Sequence, residues 1–79
     1  MLVAAVESAT LSAVVYDESE EVLQLQFCSG ATYEYSGVPA AVHAALLNAS
    51  SKGGYFNQAI RGHFPDRAIP SDWKMVGAR

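Results

Sequence analysis

The sequence predicts an α+β domain: a three-stranded antiparallel meander packed on one face by two C-terminal helices, in the order βββαα. Three observations carry this. Residues 22–27 and 31–35 alternate apolar and polar side chains, the period of a half-buried strand. Residues 11–16 (LSAVVY) are rich in types that suit strands. Beyond Pro39 the alternation gives way to apolar residues spaced three and four apart, the signature of helices with one buried face.

Each element has its own justification. The acidic, turn-prone run Asp17-Glu18-Ser19-Glu20 stops the first strand. In the second, Leu23, Leu25 and Phe27 point one way and Gln24 and Gln26 the other. The loop Cys28-Ser29-Gly30 then sets the register. With three loop residues Phe27 faces Ala31, Leu25 faces Tyr33 and Leu23 faces Tyr35, so one face is wholly apolar or aromatic. A two-residue loop places Tyr33 beside Gln26 and Leu25 beside Glu34, mixing both faces. A one-residue slip inverts every side chain, so the three-residue loop is expected, with Gly30 in its left-handed position. Tyr33 and Tyr35 are thereby assigned to the core side.

Ser36-Gly37 breaks the third strand, and Pro39 suits the first turn of a helix, where its missing N–H costs nothing. Residues 40–49 are strong helix formers, with Val38, Val42, Ala45, Leu46 and Ala49 on one stripe. His43 reads as a helix-flank histidine. Ser50-Ser51 ends this helix and caps the next, which runs from Gly53 or Gly54 to Arg61. Tyr55, Phe56, Ala59 and Ile60 take its inner face; Gly54, Asn57, Gln58 and Arg61 take its outer face. Gly62 suits the stop. Residues 1–65 form the expected domain. Residues 66–79 show no clear period and are expected as a tail, docked through Ile69 and Trp73 or free.

Composition bounds the function. The chain has 79 residues, 51% of them hydrophobic and 16% charged, which excludes an intrinsically disordered chain. A lone cysteine, Cys28, excludes a disulfide scaffold and reads as a spectator. Apolar runs fall well short of the roughly 20 residues of a membrane-spanning helix. Residues 1–6 lack a basic flank and are too short for a secretory signal, so a cytoplasmic location without membrane partners is expected. Residues 1–51 hold six acids and no Lys or Arg, whereas residues 52–79 hold five bases against two acids. The C-terminal end is thus the part suited to an anionic partner.

Catalytic and metal patterns are absent. His43 and His63 lie twenty residues apart, and one cysteine gives no zinc spacing. Gly53-Gly54 lacks the phosphate-loop pattern. No cofactor, no metal and no enzymatic activity are expected.

Three stretches, in order, resemble the KTSC domain: Val15-Tyr16-Asp17 with Leu23-Gln24-Leu25-Gln26-Phe27; Gly30-Ala31-Thr32-Tyr33-Glu34-Tyr35-Ser36-Gly37-Val38-Pro39; and Ser51-Lys52-Gly53-Gly54-Tyr55-Phe56-Asn57-Gln58-Ala59-Ile60-Arg61. The marker of that family is a central Y-x-Y, matched by Tyr33-Glu34-Tyr35. The resemblance runs from about Ser8 to Phe64. It implies a short domain found at the C-terminus of some lysyl-tRNA synthetases and also as a stand-alone bacterial protein, with no established activity and a suggested link to RNA.

Two binding readings follow. The leading one is RNA backbone binding, of tRNA-like molecules, by the positive second-helix region. Lys52, Gly53 and Gly54 offer a charge and free N–H groups at a helix start, Asn57 and Arg61 sit one turn apart on the solvent face, and His63 and Arg67 follow. Tyr33, Tyr35, Tyr55 and Phe56 are expected in the core rather than as a base platform. Asn57 and Arg61 have an equally good structural account, fixing the helix to the hairpin. The alternative is a protein-interaction or homodimerisation module working through an exposed edge strand, Leu11–Tyr16.

Overall fold

The structure, a computed structural model, describes residues 2–6 and 8–69. Its sheet has five strands in the order β1-β2-β3-β4-β5: β1 (Leu2–Ala5), β2 (Leu11–Asp17), β3 (Val22–Phe27), β4 (Thr32–Ser36) and β5 (Asp66–Ile69). All neighbours are antiparallel. Between β4 and β5 come α1 (Ala40–Asn48) and α2 (Lys52–Tyr55), and α2 runs on into a π-helical turn, Phe56–Ile60. The expected three strands are present as β2, β3 and β4. The count is corrected to five, because each end of the chain adds an edge strand.

Those two strands pair along one side only, and their sequences carry no alternation. Residues 2–5 are LVAA, and residues 66–69 are DRAI. What makes them strands is the open backbone of β2 and β4 beside them, whose N–H and C=O groups need partners. Two expectations are therefore corrected. The Leu11–Tyr16 strand is not an edge: it lies between β1 and β3, and the edges are β1 and β5. The sheet also extends past residue 65. Ile69 is buried, as the docked form of the tail requires, and Trp73 lies outside the described residues.

The hairpin register follows the parity argument. Leu25 pairs with Tyr33 and Leu23 with Tyr35, the Phe27 N–H donates to the Ala31 carbonyl at 2.8 Å, and Gly30 has φ of 99°. In β2 strict alternation would set Leu11 on the opposite face from Val14 and Tyr16. The register shifts between Leu11 and Ala13, a bulge at Ser12 that turns Leu11 inward beside them.

The core is a single cluster built on Val14, Tyr16, Leu23, Leu25 and Tyr35 of the sheet and Val38, Leu46, Phe56 and Ile60 of the helical layer. Pro39 is the residue before the first turn of α1 rather than in it, with ψ of 155°. Ser51 caps α2, its Oγ accepting from the Gly54 N–H at 3.2 Å. Gly62 ends the helical segment with φ of 78°, as expected.

His43 is not on the flank. It is buried, with its ring stacked on Tyr16 at a centroid distance of 4.4 Å. Burial holds the imidazole below its ordinary pKa of 6.5, with the Glu18 carboxylate acting against it. The folded state thus favours neutral His43, while the unfolded chain takes up the proton more readily. This stability contribution is complete above pH 6.5 and is lost as pH falls below it toward the depressed folded-state value. Urea titrations between pH 7 and 5.5 are expected to show a fall of at most about 1.4 kcal/mol per pH unit from this group. His43→Phe removes that component, and an unchanged slope in the variant contradicts the assignment.

Candidate functional site

The sheet face under the helices ends in a recess of about 330 Å³ at the β4–β5 side, lined by Phe27, Tyr33, Tyr35, Phe56, Arg61 and Asp66. Four of its lining residues are rings held edge to face in three pairs: Phe27 lies 5.8 Å from Tyr33 and 5.3 Å from Phe56, and Tyr35 lies 5.7 Å from Phe56. Such pairs fix ring orientation beyond what area burial alone does. Tyr35 and Phe56 are buried and Tyr33 is half-buried, so the Y-x-Y side chains face the core side, as expected, with Tyr33 at its margin. Tyr55 is half-buried at the other end of the helix, beside a shallow groove formed with Ser50, Ser51 and Gln58.

The π-helical turn supplies the cation. The Arg61 N–H donates to the Phe56 carbonyl, five residues back, at 2.8 Å. This wider winding returns Arg61 almost over Phe56, so both line the recess instead of lying on opposite helix faces. The acid comes from β5, where Asp66 pairs in register with Tyr35. Arg61 and Asp66 do not pair with each other; the ion pair among the described residues is Arg67–Glu34. The Tyr35 hydroxyl has no hydrogen-bond partner among the described residues. Burial first, then the nearby Asp66 and Tyr33, push its pKa up to about 12, Arg61 acting the other way. It therefore stays a protonated donor throughout the physiological range. The recess thus holds a guanidinium donor, a phenol donor and a carboxylate acceptor against aromatic walls.

The other expected contacts do not assemble into one patch. Lys52 is the first residue of α2, and its Nζ donates to the Ala49 carbonyl at 3.2 Å. Its charge is folded onto the end of α1 instead of projecting from a helix start. Gly53 is half-buried, and a Cβ there would meet Thr10 Oγ1 at 2.6 Å, so the missing side chain serves close packing. The Gly54 N–H is taken by the Ser51 cap. At this helix start the Gly54 N–H is capped, Gly53 is packed and the Lys52 ammonium is turned onto the Ala49 carbonyl. Arg67 stands in register with Glu34, on the opposite sheet face from Tyr33 and Tyr35, and its Nε donates to Glu34 Oε1 at 2.8 Å. Asn57 and His63 are exposed, and Arg61 Nη1 reaches Asn57 Oδ1 only at 3.5 Å. Of the residues expected to contact RNA, Arg61 alone joins the recess, beside the expected core rings Tyr33, Tyr35 and Phe56.

Sequence reasoning missed Phe27 and Asp66. Phe27 was legible, since the hairpin register sets it on the face of Tyr33. Asp66 had no signal, because nothing in residues 66–69 announces a strand. Cys28 is exposed in the hairpin turn, and no cluster able to hold a metal exists among the described residues. No helix among them is long and apolar enough to cross a membrane.

A family model described as the KTSC domain matches residues 7–64. The fold is similar to the crystal structure of a KTSC domain protein from Yersinia pestis, with a TM-score of 0.84 and 35% identity, covering 87% of this chain and 97% of that one. An uncharacterized protein of Stutzerimonas stutzeri is 42% identical over 57 residues, 72% of this chain and 80% of its own length. A lysine–tRNA ligase of a Nostoc species is 43% identical over 58 residues, 73% of this chain but only 10% of the ligase. The chain thus spans about a tenth of that enzyme. With most of its length under one family model and its architecture shared with a solved relative, this chain belongs to the KTSC domain family.

Proposed function

We propose that this chain is a non-enzymatic, cytoplasmic RNA-binding module that holds single-stranded RNA at the recess. The observation that carries this reading is the recess itself: aromatic walls beside an arginine, an aspartate and a phenol that leave each other unpaired. That combination suits an unstacked base with its flanking phosphate. The occurrence of a similar segment within an enzyme named as a lysine–tRNA ligase supports RNA as the class of partner. The formal net charge of −3 and the ion pair at Arg67 argue against a broad basic surface, so binding is local and centred on Arg61.

The test is anisotropy of a labelled single-stranded RNA at low salt, with Arg61→Ala and Arg67→Ala compared to the parent. Loss of one charge-assisted contact is expected to weaken binding about tenfold in Arg61→Ala and to flatten the salt slope by about 1. Arg67→Ala, whose charge is already neutralised by Glu34, is expected to bind as the parent does. Unchanged affinity in Arg61→Ala removes the reading.

A further inference from the structure

We infer that the recess accepts one unpaired guanine base, with Asp66 and Arg61 reading opposite edges of the ring. The inference rests on the RNA-binding reading and deepens it. At about 330 Å³ the space is at the small end of ligand sites, enough for one ring system with its sugar and phosphate outside. Phe27 and Tyr33, the half-buried rings of the lining, favour a planar occupant. The polar groups then discriminate among planar occupants.

Asp66 is an acceptor with two oxygens, free of any ion pair among the described residues. Guanine alone among the four bases presents two adjacent donors, N1–H and the N2 amine, that a carboxylate can bind with both oxygens. Adenine and cytosine set a lone pair next to their single amine, and uracil sets its one N–H between two carbonyls; each of these turns a repulsive atom toward a carboxylate. On the other side, a guanidinium matches guanine O6 and N7 in a bidentate fork. Arg61 lines the same recess and, among the described residues, makes no ion pair with Asp66 and only a long 3.5 Å hydrogen bond to Asn57 Oδ1, so both charges are available to an occupant. Tyr35 adds a donor that stays protonated. An acid and a base that would neutralise each other if they touched line one aromatic recess without forming an ion pair. A ligand bearing donors at one edge and acceptors at the other completes both.

The experiment uses four single-stranded RNA heptamers, all uridine except for G, A, C or U at the centre, titrated against the full chain by calorimetry or anisotropy. The G heptamer is expected to bind about tenfold or more tightly than the other three. Inosine at the centre, which lacks the N2 amine, is expected to lose most of that margin. Asp66→Asn, at an exposed position, is expected to remain folded by circular dichroism and to bind all four heptamers within about twofold of one another. Equal affinity of the parent for all four overturns the guanine assignment while leaving the RNA reading in place. No binding of any heptamer removes both.

Discussion

Tyr16→Ala is expected to cost about 3–5 kcal/mol, the range for truncating a fully buried aromatic side chain. A chain of this length has only about 4–12 kcal/mol in total, so the variant is expected to lose a large share of its stability and to unfold at a much lower urea concentration. The magnitude follows from three losses at one position. Tyr16 is completely buried at the centre of the sheet, so its removal leaves a cavity between β2 and the helical layer. Its hydroxyl donates to the Val38 carbonyl at 2.6 Å, fixing the segment that enters α1. Its ring carries the stack on His43, which then loses the packing that tolerates a buried imidazole. Burial and the acids Glu21, Glu18 and Asp17 raise the hydroxyl pKa, so this donor stays protonated. Tyr16→Phe separates the terms: it keeps the ring and leaves the Val38 carbonyl without its donor, a cost of about 1–3 kcal/mol. Urea denaturation followed by circular dichroism measures both, and a Tyr16→Ala protein as stable as the parent contradicts the packing described.

Phe56→Ala is the second large effect, again about 3–5 kcal/mol. Phe56 is 6% exposed and joins the aromatic rings of β3 and β4 to the π-helical turn through its contacts with Phe27 and Tyr35. Alanine has the better helix propensity, but that gain amounts to a few tenths of a kcal/mol against the loss of a whole ring from the core. Phe56→Leu keeps much of the volume and is expected to fold with a cost below about 2 kcal/mol. The contrast between the two urea midpoints reads the packing role of the ring. Equal midpoints would mean that the π-helical turn is held by its backbone alone.

Much of the fold was legible because it depends on local parity. The register of the β3–β4 hairpin follows from loop length and the two-residue period, and it places Leu25 opposite Tyr33 and Leu23 opposite Tyr35. The positive φ at Gly30 and Gly62 follows from turn and helix-stop chemistry. The inner face of the second helical segment, Phe56 and Ile60, follows from helical spacing. In the candidate site, parity was enough for Tyr33, Tyr35 and Phe56 and implicitly for Phe27.

The remainder depended on contacts between distant parts of the chain. Lys52 and Arg67 read as free charges on the sequence, and each is spoken for: one by a carbonyl three residues away in a turned chain, the other by a carboxylate 33 residues earlier. Gly53 read as part of an open helix start and serves as clearance for Thr10. His43 read as a flank residue, because a helical wheel does not know that Tyr16 will lie beneath it.

By itself the sequence determined the family, the central hairpin with its register, the inward aromatic pair and the two helical segments, since each rests on residues close along the chain. Only the tertiary structure decided that β1 and β5 exist, that α2 closes as a π-helical turn, and that Arg61 and Asp66 line the same aromatic recess. The reason is physical. An edge strand forms because a neighbouring strand has unpaired backbone groups, and a recess forms where elements far apart in sequence stop short of touching. Neither condition is written in the period of any one segment.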